Sequence, residues 1–215
     1  MGFLFSKKKI EKPKLFSILA VGNTVVGKTA LVKCFESICK REQIKRGEIE
    51  NKDDEADNGK GKTLSTISMD HSVVKCMVKG KKGKDILLTV KIWDSPGQER
   101  FESMVLSSIR TTNGIFLVYD ITSRTSFNDL NKWIDNVKKC QTLSEFPFII
   151  ISNKIDLDKQ RDVTVEEGKK YAEENGLPFY ETSALTEEGV EKAFLGLIQR
   201  VYNKNYNISN GNIVL

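Results

Sequence analysis

Several stretches of the chain are apolar nearly without interruption. Leu15–Val21, Ile115–Tyr119 and Phe146–Ile151 each read as a strand buried on both faces of a parallel sheet. From Ile86 to Trp93 the pattern changes: Ile86, Leu88, Val90 and Ile92 alternate with Leu87, Thr89, Lys91 and Trp93. Period-two alternation predicts a strand with one drier and one wetter face. Val73–Val78 suits an antiparallel partner, joined to it through the basic turn KGKKGK. Helical periodicity appears between these runs. Phe127, Leu130, Trp133, Ile134 and Val137 share one helical face, with Ser126 and Asp129 placed as a capping box. Thr164 and Glu167 repeat that signature ahead of Tyr171 and Ala172, and Gly176 with Pro178 closes the helix. Val190, Ala193, Phe194, Leu197, Ile198 and Val201 form a third stripe after Thr186. Strands alternating with helices predict an α/β, doubly wound domain.

Composition narrows the picture modestly. A chain of 215 residues suits one domain with short extensions, and 39% apolar residues are enough for a core. The net charge of +5 does not argue for nucleic acid. Cys34, Cys39, Cys76 and Cys140 show no paired spacing and His71 is the only histidine, which speaks against zinc and for reduced thiols in a cytosolic setting. Lys40–Lys62, KREQIKRGEIENKDDEADNGKGK, lacks aromatics and reads as a flexible insertion.

The chemistry sits where strands end. GNTVVGKT, Gly22–Thr29, follows a buried strand and opens a helix expected over Thr29–Cys39. Two glycines four residues apart, then Lys and Thr, let backbone N–H groups of Gly22, Thr24, Val25, Val26, Gly27 and Ala30 wrap a triphosphate at a positive helix end. Lys28 is placed for the β and γ oxygens and Thr29 for Mg²⁺. In WDSPGQERF, Asp94 ends the alternating strand where a carboxylate serves the metal, Gly97 offers an N–H to the γ-phosphate, and Gln98 orients an attacking water. NKID, Asn153–Asp156, follows another buried strand. The Asp156 carboxylate accepts from guanine N1–H and its 2-amino group, a donor pair that adenine lacks, and the Lys154 stem lies along the base. ETSA, Glu181–Ala184, ends the last strand, with backbone N–H groups placed for the guanine carbonyl oxygen.

Four motifs in this order resemble the Ras superfamily of small GTPases. WDSPGQERF, VYDIT at Val118–Thr122 and the Phe127–Trp133 helix look most like its Rab branch. The resemblance spans Leu15 to Tyr202 and implies a three-layer P-loop NTPase fold. It would have a six-stranded, mostly parallel sheet and about five helices, over residues 14–203, with an arm at 1–13 and a tail at 204–215. It implies binding of GTP and GDP with Mg²⁺ held by Thr29, Thr66 and Asp94, and GTP hydrolysis with Gln98 and Lys28 as catalytic residues. Ser183, Ala184 and Leu185 would line the base. It further implies a switch in membrane traffic, served by an exchange factor, a GTPase-activating protein and effectors, with the protein acting as a monomer. The contrasting reading is a GTP-binding interaction module with little hydrolysis.

The chain also departs from that pattern. Val25 replaces a usual Gly or Ala, and Pro96 a usual Ala. No aromatic lies between Phe35 and Thr66, and Leu185 stands where a lysine normally covers the base. Together these predict faster GDP release than in typical relatives. His71, Trp93 and Ser108 fall at the aromatic-triad positions read by Rab effectors, so only Trp93 keeps the family's residue. No cysteine follows Cys140 to carry a prenyl group, whereas MGFLFSKKK fits N-myristoylation at Gly2, reinforced by Lys7, Lys8, Lys9, Lys12 and Lys14. The expected location is cytoplasmic, peripheral on the cytosolic face of a membrane.

Overall fold

A computed structural model describes residues 15–49, 69–80, 83–97, 102–142 and 145–208. Six strands form one sheet: β1 (Leu15–Val21), β2 (Asp70–Lys79), β3 (Asp85–Asp94), β4 (Gly114–Asp120), β5 (Phe148–Asn153) and β6 (Phe179–Thr182). Their order is β2-β3-β1-β4-β5-β6, and only β2 runs antiparallel, against β3. Six helices flank it: α1 (Lys28–Lys45), α2 (Glu102–Thr111), α3 (Arg124–Asn128), α4 (Leu130–Lys138), α5 (Val165–Glu174) and α6 (Val190–Asn205). The α/β, doubly wound domain predicted from the hydrophobic pattern, and the six-stranded, mostly parallel sheet that the resemblance implies, are observed.

The patterns map directly onto burial. Every residue of β4 and β5 is buried, as unbroken apolar runs require. Phe116 and Val118 face one core, with α1 and α6; Ile115, Leu117 and Tyr119 face the other, with α2, α4 and α5. Phe194 of α6 anchors the first core, its ring 4.4 Å from Phe35 and 4.2 Å from Phe116. In β3, Leu88, Val90 and Ile92 are buried, while Leu87, Thr89, Lys91 and Trp93 stay partly exposed.

Four boundaries differ from the pattern reading. Helix α1 does not stop at Cys39 but continues to Lys45. Its apolar stripe ends at Cys39, yet Lys, Arg, Glu and Gln are good helix formers. Lys45 pairs with Glu42 one turn back, and Arg41 pairs with Glu187. The first residues of the expected insertion are therefore helix and turn to Ile49, and 50–62 lie outside the described residues. The capping box at Ser126 and Asp129 is absent. Ser123 caps α3, accepting from the Ser126 N–H at 3.3 Å, because the Ser126 hydroxyl turns inward to accept from the Asp120 N–H at 3.0 Å. The fifth strand starts at Phe148, beyond Pro147, and α6 starts after Gly189 rather than after Thr186. The Thr164–Glu167 box is formed on both sides.

Candidate functional site: a phosphate cradle and a base pocket at the strand ends

Helix α1 begins without a capping side chain and without an acidic residue in its first turn. Its first N–H groups and its positive end therefore face the loop Gly22–Gly27 uncompensated, which is the arrangement an anion requires. At its two glycines the loop is wound too tightly for a side chain. A Cβ on Gly22 (φ 144°) would lie 2.2 Å from the Val118 carbonyl oxygen, and one on Gly27 (φ 96°) 2.3 Å from Asn153 Nδ2. Lys28 is buried, and its ammonium donates to the carbonyl oxygens of Gly22 (2.9 Å) and Asn23 (2.7 Å). Burial pulls its pKa from 10.5 down to about 8, against an opposing pull from Asp94. An amine so desolvated gains most from a polyanionic ligand that restores charge balance.

Thr29 and Asp94 meet beside it, the hydroxyl donating to Asp94 Oδ2 at 2.5 Å. They border a small cleft of about 30 Å³ that also touches Asp70, His71 and Ser72. Hydroxyl and carboxylate oxygens are the donors a hard divalent cation takes. Among the described residues no three His, Cys, Asp or Glu side chains gather around a metal position, so substrate oxygens would have to complete the set. Gly97 closes in from the end of β3: a Cβ there would lie 2.4 Å from Thr24 N. Thr66, Gln98 and Gly2 lie outside the described residues.

The base motifs lock onto the same loop. Asn153 Nδ2 donates to the Val26 carbonyl at 2.9 Å, and Asn153 Oδ1 accepts from Thr182 at 3.1 Å. Asn153 thus fastens the phosphate loop to β5 and β6. Lys154 adopts a left-handed backbone (φ 69°) and pairs with Asp120 at 2.6 Å, which stretches its stem over Gly27. Asp156 accepts from the Ser183 hydroxyl at 2.5 Å. That hydroxyl in turn accepts from the N–H groups of Leu185 and Thr186 at 3.2 and 3.1 Å. Leu185 itself is 81% exposed. The rings of His71 and Trp93 meet at a tilt of 50° with centroids 5.0 Å apart, and the Ser108 hydroxyl contacts Met69 Sδ at 3.2 Å.

Of the described residues named for the site, Gly22, Lys28, Thr29, Asp94 and Gly97 meet at the loop, Asn153 and Lys154 fasten onto it, and Asp156 is bonded to Ser183. Sequence reasoning missed Asp120, Asn23 and Asp129. Asp120 closes the VYD run at a strand end, a signal that was available; the other two act only through tertiary contact.

Val25 carries strain. It sits at φ 64° with half of its side chain exposed. A left-handed conformation costs a β-branched residue more than it costs Asn. Val25→Asn is expected to stabilise the nucleotide-free protein by about 0.5–1 kcal/mol. That should raise the melting temperature by about 1–4 °C. A lower melting temperature would show that the valine side chain earns its place through packing.

A glycine-wound loop between a buried strand and an uncapped helix N-terminus, with a buried lysine and a Thr–Asp pair beside it, is the site of a P-loop nucleotide-binding protein. A model of the Ras family matches residues 55–203. The Ras-related protein Rab-4 of Dictyostelium discoideum is 37% identical over 190 residues, covering 88% of this chain and 80% of that protein. The human Ras-related protein Rab-4B is 38% identical over 192 residues, covering 88% of this chain and 78% of that protein. The chain belongs to the Ras family, on its Rab-like side. It is a small GTPase that hydrolyses GTP and serves membrane traffic; a module without hydrolysis is not favoured.

Proposed function

We propose that the strand-end site binds GTP and GDP with Mg²⁺ through the residues placed there and hydrolyses GTP through Gln98. The observation that carries this reading is the convergence of a buried, desolvated Lys28, an uncapped α1 N-terminus and the Thr29–Asp94 pair on one loop. Magnesium, when bound, would supply a Lewis acid for the β and γ oxygens, held by Thr29 and Thr66 with Asp94 behind them. Lys28 holds the developing negative charge, the Gly97 N–H fixes the γ-phosphate, and Gln98 orients the water for in-line attack. Asp156, steadied by Ser183, selects guanine. An exchange factor, an activating protein and effectors complete the cycle. The altered surface at His71, Trp93 and Ser108 directs the protein to partners other than those that read three aromatics.

Single-turnover hydrolysis tests this assignment. Gln98→Leu is expected to keep GTP binding and to lower the hydrolysis rate by about 10-fold or more. An unchanged rate would remove Gln98 from the mechanism. ATP in excess should compete for neither version.

We also propose peripheral attachment to the cytosolic face of a membrane through a myristoyl group on Gly2 and the neighbouring lysines. No described helix is long and apolar enough to cross a bilayer. Gly2→Ala is expected to move the protein from the membrane to the supernatant on fractionation, and unchanged partitioning would refute the anchor.

A further inference from the structure

Asn23 lies inside the phosphate loop, yet its side chain points away from it toward α4. Its Nδ2 donates to Asp129 Oδ2 at 2.6 Å, and its Oδ1 accepts the indole N–H of Trp133 at 2.8 Å. The orientation of the amide is unambiguous. An indole only donates and an ionised carboxylate only accepts, so each end of the amide has one permitted partner. Asp129 and Trp133 are four residues apart, on one face at the start of α4. Asp129 is the N-cap residue of that helix, yet its side chain does not cap it. Its oxygen is spent on the loop instead.

The main chain of Asn23 is equally committed. Its carbonyl accepts from the Lys28 ammonium at 2.7 Å. The Gly97 backbone packs against it so closely that a Cβ on Gly97 would lie 2.4 Å from the Asn23 carbonyl carbon. One residue therefore joins three groups: the lysine of the cradle, the glycine at the base of the segment that follows β3, and helix α4. None of the nucleotide-binding motifs uses its side chain.

We propose that Asn23, clamped by Asp129 and Trp133, is a positioning residue that holds the phosphate loop in its nucleotide-retaining shape and couples α4 to nucleotide release. This rests on the assignment of the loop as the nucleotide cradle. Asn is the side chain the clamp needs. Alanine loses both hydrogen bonds, and aspartate keeps the acceptor for Trp133 but sets two carboxylates against each other at the distance of the present hydrogen bond.

The test is the dissociation rate of a fluorescent GDP from the full chain, chased with unlabelled GDP. Asn23→Asp is expected to speed release by roughly 10- to 150-fold, the range for losing a hydrogen bond to a charged group. Asn23→Asp combined with Asp129→Asn restores a donor–acceptor pair of reversed polarity and should return the rate to within about threefold of the parent. A wild-type rate in Asn23→Asp, or no recovery in the swapped pair, overturns the proposal. Should Asn23→Asp fail to fold, Trp133→Phe removes the indole donor alone, and release must still accelerate, or the clamp has no role. A control separates this from the site assignment. If Lys28→Ala binds GDP as tightly as the parent, the cradle itself is wrongly placed. If Lys28→Ala loses GDP while Asn23→Asp releases it normally, only the clamp fails.

Discussion

Replacing Asp156 by Asn is expected to weaken GTP binding by about 10³-fold or more and to open the site to xanthosine triphosphate. Guanine presents two donors on the edge that meets this residue, N1–H and the 2-amino group. A carboxylate accepts both with ionic strength. An Asn at 156 offers one acceptor and one donor, so its NH₂ would confront the guanine amino group donor to donor. Xanthine carries a carbonyl at that ring position and restores the match. The surroundings favour a local effect. Asp156 is solvent-exposed, and the Ser183 hydroxyl that donates to its Oδ1 can donate equally well to an amide oxygen. The melting temperature of the nucleotide-free protein should therefore move by no more than about 2 °C. Displacement titrations with the guanine, xanthine and adenine triphosphates decide the matter. Undiminished GTP affinity in the variant would move base recognition away from Asp156. Loss of binding to all three would mean that the change disturbed the Ser183–Thr186 turn rather than the hydrogen-bond code.

Much of this site was legible because its residues stand at the ends of strands whose burial the sequence announces. Ile115–Tyr119 and Ile149–Ile151 are apolar on both faces, so they had to be central, and the polar residues that follow them, Asp120 and Asn153, had to emerge at one edge of the sheet. The spacing of Gly22, Gly27, Lys28 and Thr29 then fixed the cradle. What stayed hidden depends on contacts between residues far apart in the chain. The Asn23–Asp129 and Asn23–Trp133 bonds span 106 and 110 positions. No local pattern distinguishes a Trp whose N–H meets a loop from one that merely fills the core. The end of α1 departs from the apolar pattern for a different reason. Beyond Cys39 no residue of the helix is fully buried and it persists largely on propensity and charge pairs, so a reading keyed to apolar periodicity ends with the stripe. Ser126 has the spacing of a cap toward Asp129, whereas the fold turns its hydroxyl into the core beside Asp120.

Lys28→Met is expected to abolish the nucleotide response while leaving the empty protein at least as stable. The two halves of this expectation come from the same buried ammonium. Among the described residues it donates to two carbonyl oxygens, and burial lowers its pKa to about 8, so the fold carries its charge at a cost. Asp94 offsets part of that cost from one side. A methionine of similar length fills the space without a charge, so removing the ammonium relieves the desolvation but releases the Gly22 and Asn23 carbonyls. These effects oppose one another, and the net change in melting temperature without nucleotide should lie between zero and a few degrees upward. With nucleotide the balance reverses. The ammonium is then the principal compensation for the β-phosphate charge of GDP, and GDP affinity should fall by more than about 100-fold. A parent protein at 100 times its dissociation constant gains about 2.7 kcal/mol from ligand, and the variant should gain close to none under identical conditions. Thermal shift with and without GDP reads both halves in one experiment. A variant that melts well below the empty parent would show that the lysine braces the loop. A variant that still responds to GDP would show that backbone N–H groups at the start of α1 carry the phosphates without it.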